Sequence, residues 1–301
     1  MPHLIELVKS HVIADPSGTV TARSVFTGIR PLDNFVGVFV ALFTPSLAGH
    51  DHQASTMSIP GELGSAVSPD RLQIISFLAD LASIDAIWMI ESIRRGNYWT
   101  PPRLPYLFSG YYQLRGFGLV APIYYFLNYI FVSPSRSWSA DNRLTRTSFA
   151  QNLIPTIVLG YTVLAVGSFW TGNKLYTRQG WNFVWQLFPL WNQVFHKFLA
   201  SCVTDRTEIS NIDNSKTDLP YLRAAYAFFG TLSAASHLSI KHVSPVPICE
   251  VFFKGIRDHG HQLAACPKEW HVSYGTIICS ALAVAVCGSC FIFGILRGKA
   301  S

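Results

Sequence analysis

Residues 71–97, RLQIISFLADLASIDAIWMIESIRRGN, decide how this chain is read. The stretch is long and apolar enough to cross a bilayer as a helix, yet it carries Asp80, Asp85 and Glu91 and ends in Arg94-Arg95. A carboxylate at mid-bilayer costs roughly 2.5–3.5 kcal/mol on insertion scales. Three of them must therefore face protein. At about 100° per residue, Glu91 falls about 20° from Asp80, and Ile84, Ile87 and Arg95 lie near the same stripe. Asp85 points about 140° away. The helix thus shows one face with two acids and a base, and a third acid aimed elsewhere. Glu91 and Arg95, four residues apart, are spaced to neutralise each other.

Working outward, the 301 residues are 50% hydrophobic and only 13% charged. Soluble domains carry about 25% charged residues. The apolar residues fall in long blocks, which predicts an all-α, polytopic transmembrane bundle of about seven helices. The net charge of +6 is spread over loops and helix ends. It implies contact with a lipid bilayer and no nucleic-acid partner. Residues 1–28 read as a lead-in, with a short amphipathic segment over Leu4–Ile13, and 29–297 as one transmembrane helical domain. Met1–Arg30 is mixed polar and reads as lacking a secretory signal.

The expected spans lie near 29–47, 71–97, 111–132, 152–170, 181–203, 221–240 and 272–296. Asp33 sits at the mouth of the first, placed either to cap the helix or to face a pocket. The third carries Gln113, Arg115 and Asn128, and a short connection makes Arg115 a candidate partner for an acid of the second. The fifth holds Trp181, Trp185, Trp191, Asn192, Gln193 and His196. Lys9, Arg23 and Arg30, with Arg94, Arg95 and Arg103, favour a cytoplasmic N-terminus. Cys287 and Cys290 stand in an apolar run, where small residues serve helix packing. Cys249 and Cys266 are placed to pair if their loop faces an oxidising lumen.

Metal chemistry is not indicated. The histidines at 50, 52, 237, 242, 259 and 261 lack the spacing of a di-iron site, and no DDxxD-like motif holds magnesium on a diphosphate. There is no GxSxG and no P-loop. What remains is acids in an aromatic-rich bundle. A buried carboxylic acid can stay protonated and donate. Aromatic faces stabilise a passing cation. A closed pocket excludes water from that cation. Acid-started cyclisation of a polyene or epoxide needs these features and no cofactor. A proton-coupled transporter uses the same acids.

The runs SVFTGIRPLDNFVGVFVALFTP, FLADLASIDAIWMIESIRRGN and LFSGYYQLRGFGLVAPIYYFLNYIF resemble a fungal integral membrane family of secondary-metabolite clusters. Its pattern is matched by Leu32-Asp33, by an E-x-x-R-R-G-N end at Glu91–Asn97, and by Gln113 to Tyr124 around Gly116, Gly118 and Pro122. The resemblance spans Val20–Val132. The family includes atypical membrane-bound terpene cyclases of meroterpenoid and indole-diterpene pathways. It implies a prenylated aromatic substrate, often epoxidised first by a separate enzyme of the pathway, and residence in the endoplasmic reticulum. The reaction implied is protonation of the epoxide or olefin, followed by ring closure.

On this reading Glu91 is the first candidate proton donor, followed by Asp85, Asp80 and Asp33. Arg95 or Arg115 positions an acid or binds the substrate's polar head, with Gln113 and Asn128 as further polar contacts. Trp88, Tyr124, Tyr125 and Trp185 are candidates for cation stabilisation. No metal or cofactor is expected. The alternative is a transporter or non-catalytic accessory protein of the same kind of pathway.

Overall fold

The computed structural model describes residues 12–15, 18–21, 23, 25–48, 69–132, 142, 144–170, 175–203, 216–244, 247 and 251–252. The expected seventh span and the cysteines from Cys249 onward lie outside these residues, whereas Cys202 is an exposed free thiol.

The described chain is helical but for one hairpin. Strands β1 (Val12–Asp15) and β2 (Gly18–Thr21) pair antiparallel, Val12 opposite Thr21 and Asp15 opposite Gly18. Their β-branched residues favour extended backbone. Val12 and Ile13, expected at the end of an amphipathic helix, are therefore in a strand.

Helix α1 (Arg30–Ala48) begins at Pro31, where a missing N–H costs nothing. Asp33 is buried and ties the entry loop to it, accepting hydrogen bonds from Thr27 N, Thr27 Oγ1 and Gly28 N at 2.9, 2.8 and 3.0 Å. Helix α2 (Pro69–Ile93) is the acidic helix, and it stops four residues short of the expected end. Arg94 turns extended (φ −67°, ψ 136°) and pairs with Thr145 in an isolated bridge, and Arg95 N donates to Leu144 O at 3.0 Å. Single 3₁₀ turns follow at Arg95–Asn97 and Pro101–Arg103.

The expected third span is broken in two: α3 (Pro105–Arg115) and α4 (Phe117–Phe131) meet at Gly116, φ +89°. Only glycine reaches that conformation without a Cβ penalty, and it stops α3. Beyond the short α5 (Thr147–Ala150), the fourth expected span is a run of α6 (Leu153–Ile157), a π turn (Val158–Thr162) and α7 (Val163–Trp170). The fifth is also divided, into α8 (Leu175–Gln186) and α9 (Phe188–Cys202). Pro189, which has no N–H to carry the hydrogen-bond ladder of α8 onward, lies just past the break. The sixth is a single helix, α10 (Leu219–Val243). Among the described residues two helices are long and apolar enough to cross a membrane, Arg71–Ile93 and Leu153–Trp170.

The helices form two compact units, each assembled from separated stretches of sequence. The first holds the hairpin, α1, the start of α2, α7, α8 and the end of α10. Its core is Val36, Val40 and Phe183, and Phe26 stacks on Phe183 at 4.5 Å. The second takes α2 from Phe77, α3, α4, α5, α6, the π turn, α9 and α10 as far as His237. Here α2 is the axis. Helix α10 runs antiparallel to it, matching Ser233 and His237 with Asp80 and Phe229 with Ser83.

Asp218, just before α10, accepts from Thr145 N at 2.9 Å and Thr145 Oγ1 at 2.7 Å. Thr145 in turn pairs with Arg94. One short strand segment therefore joins the end of α2 to the start of α10. Asp218→Ala strands the buried Thr145 N–H, and we expect a loss of about 1–3 kcal/mol in unfolding free energy. Denaturant titration of the detergent-solubilised protein measures it, and an unchanged midpoint would refute this role of Asp218.

Candidate active site

The second unit gives each acid of α2 its own surroundings. Glu91 is the terminal one. Its Oε1 accepts from Arg94 Nε at 2.8 Å and its Oε2 from Asn97 Nδ2 at 3.2 Å. Asn97 Nδ2 also donates to the Glu91 carbonyl at 2.8 Å. Arg94, not Arg95, is the partner, because the chain leaves the helix after Ile93 and swings Arg94 back over Glu91. The neighbouring carboxylate raises the Arg94 pKa further above its ordinary value, so Arg94 keeps its charge, and Tyr226 of α10 also bonds it. A side chain at Gly96 would press on Asn142, its Cβ lying 3.0 Å from the Asn142 carbonyl oxygen. The E-x-x-R-R-G-N motif thus reads as a clasp that ends α2.

Asp80 is buried against α10. Ser233 Oγ donates to its Oδ1, and His237 Nε2 lies 3.1 Å from its Oδ2. The His237 side chain is 30% exposed, so this couple opens outward.

Asp85 is different. It is buried, accepts from Asn192 Nδ2 of α9 at 2.6 Å and from Ser109 Oγ of α3 at 3.4 Å, and forms no ion pair with a described residue. A buried carboxyl group with no counter-ion avoids the cost of a buried charge only as the neutral acid.

One turn along α2 from Asp85, Trp88 is the centre of an aromatic cluster. Its ring stacks on Tyr124 at 4.1 Å and 22°. Phe117 stacks at 6.2 Å, and Phe108, Tyr112 and Tyr125 meet it edge-on. Trp88 and Tyr124 are fully buried, yet among the described residues Trp88 Nε1 and Tyr124 Oη have no hydrogen-bond partner. Each such donor costs about 1–3 kcal/mol if it stays unmatched. Two buried donors without acceptors suit an oxygen-bearing ligand. On the helical wheel Trp88 falls between Asp80 and Asp85, about 80° from one and about 60° from the other.

The structure therefore brings together Asp85, Trp88, Tyr124 and Tyr125. Gln113 and Asn128 are half-buried on α3 and α4, and Gln113 Nε2 has no hydrogen-bond partner among the described residues. Arg115 is exposed and forms no ion pair with a described residue, so the expected pairing with α2 is absent. Arg95 is exposed. Asp33 and Trp185 belong to the first unit, where Asp33 holds a loop and Trp185 packs on Phe43 and Phe188. Ser109 and Ser233 escaped the sequence reading, being small polar residues without a motif of their own, whereas Asn97 closes the E-x-x-R-R-G-N motif. Asn192 did leave a signal, as an amide inside an apolar span. Among the described residues no three His, Cys, Asp or Glu side chains converge.

A helical bundle with a buried acid that has no ion-pair partner among the described residues, beside stacked aromatic rings, defines a class of site suited to acid–base work. Sequence comparison then places the protein: it belongs to the CtvD domain family, whose profile matches residues 3–258. That bears out the resemblance to a fungal secondary-metabolite family. Among its relatives, FAD-dependent monooxygenase verC1 of Penicillium polonicum is 30% identical over 182 residues, 60% of this chain and 22% of that protein. FAD-dependent monooxygenase BOA8 of Botryotinia fuckeliana is 34% identical over 172 residues, 56% and 22%. Terpene cyclase ascI of Acremonium egyptiacum is 24% identical over 246 residues, 78% of this chain and 57% of that protein. The chain spans about a fifth of the length of these monooxygenases and little more than half of the cyclase. No solved structure matches it.

The clasp makes a testable statement. Arg94→Met removes the cation and leaves the Glu91 carboxylate with a missing donor, whereas Glu91→Gln keeps an acceptor oxygen. We expect Arg94→Met to cost about 1.5–3 kcal/mol of stability and Glu91→Gln clearly less. Thermal melts of the two purified variants compare them, and a reversed order would show that the pair does not hold the end of α2.

Proposed function

We propose that this protein is a multi-pass membrane cyclase of fungal secondary metabolism, resident in the endoplasmic reticulum. Its substrate is an epoxidised prenylated aromatic compound, and its proton donor is Asp85. The observation that carries the reading is Asp85 itself: buried, without a counter-ion, and one helical turn from the Trp88–Tyr124 stack. Glu91, first in order from the sequence, is the weaker donor because both its oxygens are engaged in the clasp.

The chemistry follows from these groups. Asp85 transfers its proton to the oxirane oxygen, the C–O bond to the more substituted carbon breaks, and the oxygen stays on the other carbon as a hydroxyl group. Trp88 Nε1 and Tyr124 Oη are buried donors suited to holding an oxygen of the substrate. Positive charge develops at the more substituted carbon, where aromatic faces stabilise it. An internal alkene or hydroxyl group attacks, a new ring bond forms, and the surplus proton leaves. The His237–Asp80 couple accepts it, Asp80 lying on the same helix as Asp85 and His237 of α10 being partly exposed. Substrate and product are isomers, so no cofactor is consumed.

Two likenesses support this. A relative named a terpene cyclase aligns with 78% of the chain. Relatives named FAD-dependent monooxygenases carry a similar stretch within much longer proteins. Flavin monooxygenases add one oxygen atom from O2, and an epoxide is one product of that chemistry. The epoxide form of the substrate is therefore favoured over the plain olefin.

Purified protein in detergent, given an epoxidised farnesyl-aromatic probe, is expected to yield a product of equal mass and new retention time. Asp85→Asn should lower the rate by about a hundredfold or more, the contribution of a general acid. His237→Gln should slow it by about tenfold, and Glu91→Gln should keep most of it. Full activity in Asp85→Asn would remove Asp85 as the donor. A protein that makes no isomer in detergent but moves the probe across sealed vesicles would be a transporter.

A further inference from the structure

Asp85 is held mainly by Asn192, and Asn192 is itself held in an unusual way. Its Nδ2 donates to Asp85 Oδ2 at 2.6 Å, while its Oδ1 is buried and has no hydrogen-bond partner among the described residues. The carboxamide is thus fixed chemically at one end only. At the other end it rests on the bare Cα of Gly160, in the π turn of Val158–Thr162. A Cβ built on Gly160 collides with Asn192 Oδ1 and lies 3.2 Å from Asn192 N and 3.3 Å from Cγ. The bond to Asp85 is already at the short end of its range, so the amide has no room to retreat toward the acid. Any side chain at position 160 must turn it off Asp85.

The π turn is not free to yield. The next residue, Tyr161, is buried and donates from Oη to the Leu78 carbonyl of α2 at 2.8 Å. That anchor keeps the turn against the helix that carries Asp85. Single π turns occur often at functional sites. Here the turn performs two tasks with adjacent residues: Tyr161 fixes its distance from α2, and Gly160 leaves the space that the amide occupies.

We infer that Gly160 is a positioning residue for Asp85, acting through Asn192. The catalytic part of this inference rests on the proposed role of Asp85. The contact itself does not, which makes the two separable. The test is a double-mutant cycle of Gly160→Ala and Asn192→Ala in the full chain, read by melting temperature in detergent and by kcat and KM for isomer formation.

Gly160→Ala should lower the melting temperature, and should lower kcat by about tenfold to a hundredfold with KM within about twofold. In the Asn192→Ala background it should add little to either loss, because the side-chain clash is gone and only the 3.2 Å contact with the backbone N remains. Should Gly160→Ala fail to fold, the double variant should fold again. Additive losses, or a double variant that also fails to fold, overturn the inference. So does a coupled loss of stability with kcat unchanged. If the wild type makes no isomer from any probe, the cyclase reading falls, and the melting-temperature cycle still decides whether Asn192 sits on Gly160.

Discussion

An apolar helix that carries three carboxyl groups depends on having each of them matched, because a buried polar group left without a partner costs more than a well-made bond returns. Much of the second unit follows from that demand on α2. Asp80 requires donors, and α10 brings Ser233 and His237. Asp85 requires donors, and α3 and α9 bring Ser109 and Asn192. Glu91 is answered locally, by Arg94 and Asn97 as the chain turns out of the helix. Even backbone oxygens of the bundle take part: Tyr161 bonds the Leu78 carbonyl, and Ser83 the Phe229 carbonyl.

The three solutions differ in kind, and the difference sorts the acids by chemical use. An ion pair with a second hydrogen bond engages both oxygens of Glu91. A histidine beside Asp80 makes a couple able to carry a proton in either direction. Two neutral donors around Asp85 leave its charge unanswered. The same residue type, repeated along one helix, acquires three characters from its neighbours alone.

Much of this was legible in the sequence. The helical class, the acidic stretch as its axis, the divergence of Asp85 from the stripe of Asp80 and Glu91, and the aromatic residues Trp88, Tyr124 and Tyr125 all follow from spacing and composition. What was not legible depended on where the chain stops being helical. Glu91 and Arg95 are four residues apart, but that rule presumes a continuing helix, and Arg94 leaves it. Gly116 and the Phe188-Pro189 pair likewise divide spans that hydropathy averages into one. The partners of Asp85 and Asp80 lie 24 to 157 positions away in sequence. No local pattern names them. The π turn around Gly160 is equally silent, since a glycine in an apolar run reads as packing.

The Trp88–Tyr124 stack has a consequence of an optical kind. Of the eight tryptophans in the chain, Trp88 is fully buried, with its ring centroid 4.1 Å from that of a phenol ring. Two aromatic chromophores held that close and nearly parallel exchange excitation, and a fixed pair in a chiral setting gives strong near-ultraviolet circular dichroism. An indole sealed from water emits at the blue end of its range. The centre of the acid–aromatic cluster therefore carries its own spectroscopic label, able to register the arrival of a guest beside the stacked rings without a reaction taking place.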